Sequence, residues 1–516
     1  MRAHAHTFIT EGLSLRAATV EVDVRRGLPA FTIVGLGEAG ARELRDRVRA
    51  AIINSGYDFP ERRITVAVAP GDLRRVGGEL DLALACALLA ASGQIPAGPL
   101  ERHTVFGELT LAGEVRSPHG TVAVAQATHE AGRKLIVGPA RALEATLQAD
   151  LEVIVAGCLS SAVRVLTGGS GDPLPQRVAP SEPRTPRVSV GLDLSDVSGQ
   201  PQGVHALLVA AAGAHNLVLS GPAGSGRLML AQRLACILPP MSHTEALEVT
   251  RIHSIAGRLP EGCELVAERP FRAPHYSISA AGLVGGGTRA TAGESTLAHR
   301  GVLYLDELHE FRRGALHALR QPLDDGFVRI ARGGHSSDHP TRFVLVAGVS
   351  PCPCGHFGDQ HCRCSEADLA RHRLRLRDLP FDRMDLTVHL KRPKPQVQFT
   401  QWPVPTTAQA REQVILARER QRTRLQQDGI SANAEMSPAT ARRHITLSAN
   451  SAQMMRDAQQ IGQLSAKGVH RVLCVARTVA DLDGRELVEE QDVSLALSFH
   501  SCRKLASRTH EDAQSA

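Results

Sequence analysis

Along residues 1–167, apolar positions alternate with polar ones in some stretches and recur at helical spacing in others. Ala18–Val24 and Ala30–Val34 follow the alternating pattern and are predicted strands. Arg42–Ser55 has one apolar stripe and is predicted to be an amphipathic helix. Arg63–Ala69 alternates again with β-branched residues, and Leu80–Ala91 reads as a helix of nearly unbroken apolar character. A Gly/Pro/Ser stretch opens at Gly168-Gly-Ser-Gly-Asp-Pro-Leu-Pro, so residues 168–187 are expected to be a linker. Strand and helix patterns mix once more over residues 188–395. Over residues 396–516 only helical spacing remains, at Ala408–Gln427, Ser437–Leu447, Ala452–Ile461, Ala466–Asp481 and Glu490–Leu505. Pro438 and Asp492 stand where helix starts are expected. The expected architecture is a multidomain α/β protein: a first α/β domain, a linker, a second α/β core with a parallel sheet, and an all-α C-terminal segment.

Two motifs in the second α/β segment carry chemistry. Asn216-Leu-Val-Leu-Ser-Gly221 is an apolar strand that enters the loop Gly221, Pro222, Ala223, Gly224, Ser225, Gly226, and Arg227-Leu228 then opens a helix. The layout is that of a Walker A phosphate loop, in which backbone N–H groups and a helix N-terminus face a phosphate. Arg227 stands in place of the lysine and Leu228 in place of the Mg²⁺-ligating hydroxyl. Arginine keeps the charge but is bulkier and forked. About eighty residues on, Gly301-Val-Leu-Tyr-Leu-Asp306-Glu307 runs an apolar strand into two acids. In P-loop ATPases such acids hold Mg²⁺ and position the attacking water. Asp306 is the expected Mg²⁺ ligand and Glu307 the expected water-positioning residue. The plain alternative for the second motif is a strand followed by an acidic turn.

The net charge is only +6, but Arg371–Arg377 and Arg411–Arg424 are arginine-dense. Such runs are solvated faces or phosphate contacts. With one Trp, three Tyr and twelve Phe, a protein that stacks single-stranded bases on aromatic platforms is not expected. Met1–Thr10 lacks a basic-then-apolar leader pattern, and the longest apolar run, Leu82–Ala91, is too short to span a bilayer. A cytoplasmic protein with no membrane partner is therefore expected, its ten cysteines reduced. Cys352, Cys354, Cys362 and Cys364 form two CxC units, with His356 and His361 between them, and are candidate zinc ligands. The alternative is a reduced, loosely packed loop. Gly35-Leu-Gly37-Glu-Ala-Gly40 fits a dinucleotide-loop pattern. No acid ends the next strand convincingly, Asp72 lying beyond a Pro-Gly turn, and a structural tight turn is preferred.

Longer blocks identify a resemblance. They include Gly27-Leu-Pro-Ala-Phe-Thr-Ile-Val-Gly-Leu, Glu268-Arg-Pro-Phe-Arg-Ala-Pro-His275, Leu283-Val-Gly-Gly-Gly287, Leu319-Arg-Gln-Pro-Leu and Val475-Ala-Arg-Thr-Val-Ala-Asp-Leu482. With them the chain resembles the Mg-chelatase-like AAA+ ATPases of the ComM/YifB group from about Leu13 to Arg503. The resemblance implies a Lon-protease-like N-terminal domain of the ribosomal-S5-like fold, an AAA+ core, a helical lid, and a homo-hexameric ring with ATP at subunit junctions. It also implies DNA branch migration or helicase activity during recombination in natural transformation, with branched or single-stranded DNA as partner. By the same resemblance, Ser350 replaces a polar sensor, Arg383 matches an arginine finger acting on the neighbouring subunit, and Lys467 stands for a lid arginine on the nucleotide. For Arg383 the alternative is an ion pair with Asp382 or Asp385. A Lon-type peptidase is not expected, because Glu79 falls where the serine would be and Gly113–Val124 has no lysine.

For DNA, the hairpin-like Asp325–His335 offers Arg329 and Arg332, and the segment from His253 to Gly287 offers Arg269 and Arg272. With the ATP-site positions substituted, weak or absent turnover is expected. Two further readings stay open: a hydrolysis-defective nucleotide-binding module that assembles with or regulates other proteins, and a metal-chelatase motor subunit.

Overall fold

The computed structural model describes the chain except residues 72–76, 176–191, 261, 263–264, 288–290, 333–334, 357–361, 378, 380, 393–403, 463 and 501–516. Most of the expected linker and the end of the last predicted helix therefore lie outside the described residues.

The first block is a seven-stranded mixed sheet with helices packed against it. Its strands are β1 (Arg2–Glu11), β2 (Ser14–Arg25), β3 (Ala30–Val34), β4 (Arg63–Ala69), β5 (His103–Phe106), β6 (Lys134–Val137) and β7 (Val153–Val155), in the order β3-β4-β2-β1-β5-β6-β7. The helices are α1 (Glu38–Asn54), α2 (Asp81–Ala91), α3 (Thr121–Glu130) and α4 (Leu159–Leu166). Every residue of α2 is buried, as an apolar circumference requires. A Cβ on Gly35 would lie 2.6 Å from the Val68 carbonyl oxygen, so the glycine pattern there serves a close turn between β3 and α1.

The second block holds α5 (Pro201–Gly213), β8 (Leu217–Ser220), α6 (Arg227–Ile237), α7 (His243–Ile255), β9 (Phe271–Arg272), β10 (Val302–Leu305), β11 (Phe327–Arg332), β12 (His335–Pro340), β13 (Val344–Val349), α8 (Glu366–Arg377) and β14 (Leu386–His389). Its five-stranded sheet is parallel throughout, in the order β9-β10-β13-β8-β14. Ser220 pairs with Val349 and Leu305 with Ala347, so β8, β13 and β10 end at one edge. The first block meets the second at α7, where Ser254 Oγ donates to Glu144 at 2.7 Å.

The helical segment comprises α9 (Thr407–Leu425), α10 (Pro438–His444), α11 (Ala449–Gln460), α12 (Ala466–Leu482) and α13 (Glu490–Phe499). Its apolar face is continuous with the parallel-sheet core, from Leu207 and Leu234 through Val414 to Val475 and Phe499. Several arginines of α9 reach back into the fold, while Arg422 stays exposed. Arg418 donates to the Ala211 carbonyl (3.0 and 3.2 Å) and Arg411 to the Cys236 carbonyl (2.6 and 2.9 Å). These are terminal carbonyls of α5 and α6, left without intrahelical donors, and cations there also meet the negative end of the helix dipole.

Arg424 closes a buried network with α12. Asp481, 1% exposed, accepts from Arg424 at 2.6 and 2.8 Å, from Arg477 at 2.9 Å and from Asn433 at 2.8 Å. Removing the carboxylate leaves the buried Arg477 without its ion-pair partner. Asp481→Ala is expected to cost about 3–5 kcal/mol, and Asp481→Asn less. Urea unfolding of the full chain checks this, and an Ala variant within 0.5 kcal/mol of the parent, about the size of an ordinary surface change, would refute it.

Candidate nucleotide site

The candidate phosphate loop, Gly221–Gly226, lies between β8 and α6. Gly224 and Gly226 take φ of +78° and +89°, and Gly226 precedes the first turn of α6. Ser225 is buried, and its hydroxyl oxygen has no hydrogen-bond partner among the described residues. Two partners brace the loop from behind. Gln200 Nε2 donates to the Ser225 carbonyl at 3.1 Å and to the Lys391 carbonyl at 2.6 Å. The Gly221 N–H donates to the Val349 carbonyl at 3.1 Å.

Asp306 and Glu307 follow β10 directly. With β13 between β8 and β10, the acids reach the loop across the end of β13. That crossing needs glycine at 348, where a Cβ would lie 2.3 Å from Asp306 Oδ1 and 2.8 Å from the Tyr304 hydroxyl. Glu307 sits in the left-handed region at φ +48°, an uncommon conformation for a residue with a side chain. Burial pushes the Tyr304 phenol well up, and the neighbouring Asp306 adds to this.

Arg227 enters this junction. Its side chain is 9% exposed, and Nη2 makes a very short contact with Glu307 Oε1 and stands 3.5 Å from Asp306 Oδ1. Nη1 donates to Ser350 Oγ at 3.1 Å, and that hydroxyl donates to Glu307 Oε1 at 2.8 Å. Thus Arg227, Glu307 and Ser350 form a closed triangle. Burial would raise the Glu307 carboxyl, but the Arg227 guanidinium and the Ser350 hydroxyl hold it below its ordinary value. Leu228, 45% exposed, brings no oxygen.

Two histidines that sequence reasoning missed complete the surroundings. His309 packs edge-on against His372 with ring centres 4.6 Å apart, and His372 Nε2 lies 2.8 Å from the Ser350 carbonyl. Burial lowers both, so they are neutral at pH 7. His309 sits three residues after Asp306, which was a usable signal. His372 lies inside an arginine-rich helix and gave none.

The remaining candidates are dispersed. Arg383 pairs with Asp324 (2.7 and 3.0 Å) and with Asp382 at 2.8 Å. Its carbonyl accepts from Asn216 Nδ2 at 3.1 Å, at the end of β8 away from the phosphate loop. Lys467 is exposed in the first turn of α12. Glu79 of the first block receives the backbone N–H and hydroxyl of Thr10.

Among the DNA candidates, Arg269 is committed internally. It donates to the Pro239 carbonyl at 2.5 Å, to the Arg300 carbonyl at 2.6 Å and to Glu245 at 3.2 Å. Arg272 forks onto Glu294 at 2.6 and 2.8 Å. Both arginines hold the segment to the core. β11 and β12 do pair as an antiparallel hairpin, where Arg329 is exposed and forks onto Asp338 at 2.7 and 2.8 Å. The side chain of Arg332 lies outside the described residues.

Cys352, Cys354, Cys362 and Cys364 converge, their Sγ atoms all within 4.8 Å of one another. His361 lies outside the described residues.

Comparison with known proteins bears on this arrangement. Residues 193–398 match the family model described as magnesium chelatase, subunit ChlI. Residues 20–141 match a second model, subunit ChlI of Mg-chelatase, and residues 405–500 match that subunit's C-terminal model. The chain is 38% identical over 508 residues to the uncharacterized protein YifB of Salmonella typhimurium, covering 98% of each. It is 38% identical over 495 residues to the competence protein ComM of Haemophilus influenzae, covering 96% of each. The chain belongs to the magnesium-chelatase-like ComM/YifB family. An uncharacterized relative from Mycobacterium tuberculosis is 41% identical over 497 residues, which are 96% of this chain and 98% of that one. Within this ComM/YifB chain, the phosphate loop, the twin acids and the cysteine cluster all fall in the segment matched by the first ChlI model.

The triangle predicts a pH-dependent stability change. A depressed carboxyl contributes stability above its unfolded value, near 4.3, and loses it as pH falls through the lower folded value. Arg227→Gln is expected to cost about 1.5–3 kcal/mol at pH 7, the range for hydrogen bonds to charged groups. The difference from the parent should shrink below about pH 4. Urea midpoints at pH 7 and pH 3.5 measure it, and an equal loss at both would show that Glu307 is not the partner that matters.

Proposed function

We propose that this chain is a nucleotide-binding subunit of an AAA+ ring that acts on DNA, and that it hydrolyses ATP weakly or not at all. The observation that carries the reading is the Arg227–Glu307–Ser350 triangle. Family membership implies ATP and Mg²⁺ as ligands, and the two fit this site differently. The glycine-rich loop and the first turn of α6 suit a phosphate, and the partnerless Ser225 hydroxyl would gain an acceptor there. A magnesium ion is poorly provided for. Leu228 cannot ligate it, and a guanidinium already faces Asp306 and Glu307.

In an active ATPase the second acid must be free to orient water while a lysine meets the transferred phosphate. Here one guanidinium is placed against the acid instead. It neutralises Glu307 and competes with any water for its Oε1 oxygen. Phosphate binding by the loop and neutralisation by Arg227 are thus separate tasks, and only the first favours ATP. Arg383, held by Asp324 and Asp382, is the group proposed to face a neighbouring subunit's nucleotide in the ring. Lys467 is proposed to contact the nucleotide from the lid.

The extension to DNA rests on the relative named as a competence protein and on the family resemblance, which favours branch migration or helicase work. The β11–β12 hairpin with Arg329 is the proposed contact surface. Contacts there would be to phosphates and would weaken with salt.

The full chain should bind a fluorescent ATP analogue while turning over ATP about 100-fold or more slowly than an Arg227→Lys/Leu228→Thr variant, given the size of single charge effects in phosphoryl transfer. Steady-state phosphate release with and without forked DNA measures this. Rapid turnover by the unaltered chain, abolished by Glu307→Gln, would overturn the reading.

A further inference from the structure

The segment that follows β13 serves two structures at once. Val349 and Ser350 brace the phosphate loop and its arginine, and the cysteines begin two residues later. Cys352 is fully buried, while Cys354, Cys362 and Cys364 are half-buried. Cys352 Sγ lies 3.4 Å from Cys354 Sγ, which lies 3.7 Å from Cys362 Sγ. A disulfide would need about 2.05 Å, so these are separate thiols. Four sulfurs about 2.3 Å from one tetrahedral zinc would stand roughly 3.8 Å apart, close to the spacing seen.

The local chain favours this gathering. The Gly355 N–H donates to the Cys352 carbonyl at 3.0 Å, closing a four-residue turn. Pro353 occupies the turn position where a fixed φ helps, and Gly355 the position that glycine favours. Cys352 and Cys354 therefore come from one tight turn, and Cys362 and Cys364 close the set just before α8.

The same turn is bonded to the phosphate loop. The Ala223 N–H donates to the Gly355 carbonyl at 3.1 Å. Arg392 Nη2 lies 3.3 Å from the Ala223 carbonyl and 3.2 Å from His356 Nδ1, joining the residue after the turn to the same loop position. Both polar groups of the Ala223 backbone are thus held by, or through, the cysteine turn.

We propose that the four cysteines bind one structural zinc ion and that its occupancy sets the shape of the phosphate loop, so that nucleotide affinity depends on the metal. Binding deprotonates the thiols and cross-links two chain segments. The turn at Gly355 then becomes a fixed abutment for Ala223. Without the metal, that abutment is held by hydrogen bonds such as the one closing the turn, with no covalent or coordinate cross-link to the Cys362–Cys364 segment. The coupling rests on the reading of the loop as a nucleotide site, whereas the metal site does not.

The test uses the full chain purified without chelator. Elemental analysis should find one zinc per chain, and Cys362→Ser/Cys364→Ser should lose it. That variant should bind a fluorescent ATP analogue about 10-fold more weakly, the effect of losing one good hydrogen bond. Gly355→Val keeps all four thiolates but forces a branched residue into φ +72°. It should retain zinc and still lose nucleotide affinity, which separates the abutment from the metal. A parent chain without zinc, or a zinc-free variant that binds the analogue as tightly as the parent, overturns the inference. Zinc in a parent chain that binds no nucleotide would instead sink the nucleotide reading and the coupling, while upholding the metal site.

Discussion

A guanidinium buried against a carboxylate organises the end of the parallel sheet where three strands finish. Arg227 begins a helix, Glu307 lies in the turn after one strand, and Ser350 directly follows the neighbouring strand. Each belongs to a separate stretch of chain, so the triangle pins three elements at one point. A half-buried carboxylate with no cation would be costly, and so would a buried guanidinium without a counter-charge. The two offset each other only while the loop, the acid turn and the end of β13 hold their present arrangement. The strained backbone at Glu307 and the close approach of Asp306 to Gly348 are tolerable because that arrangement is enforced from three sides.

Lysine at this position would leave the junction different in kind. A lysine ends in a compact ammonium that meets a phosphate as a point charge, whereas an arginine's planar fork can serve two acceptors at once. In this chain the fork spans an acid and a hydroxyl. A bound triphosphate would have to share that guanidinium with Glu307 or draw it away. Leu228 compounds the effect, because the neighbouring position that would hold a metal carries a side chain with no donor atoms. The two substitutions form one change in the site's chemistry.

Much of this fold was legible in the residues and part of it was not. Arg63–Ala69 formed a strand with those bounds, and Leu80–Ala91 became a buried helix one residue shorter, because period and burial agree there. Ser437–Leu447 shortened to Pro438–His444, since helix ends are set by local hydrogen bonding more than by apolar spacing. That the glycine-rich loop and the twin acids would meet was readable from their motifs. That Arg227 would turn onto Glu307 and Ser350 was not, because those partners lie 80 and 123 residues away. The arginines of α9 divide. Arg422 is exposed, as its charge suggested, whereas Arg411 and Arg418 donate to carbonyls at the ends of other helices and Arg424 to Asp481. Arg269 and Arg272 followed suit, tying a long segment to the core. Composition records how many cations a chain has, but only the folded neighbourhood decides which of them remain available to a ligand.

The α6 helix gives the last of these contacts a mechanical meaning. It runs from the phosphate loop to the carbonyl of Cys236, gripped by Arg411, over a span of about 16 Å for eleven residues. A helix of that length behaves as a strut. Any displacement of its first turn by an incoming anion would be delivered at the far end to the α9 helix, with no loop between them to absorb it. The C-terminal helices would then respond as a lever with its pivot at the phosphate loop, whether or not a phosphate bond is ever broken.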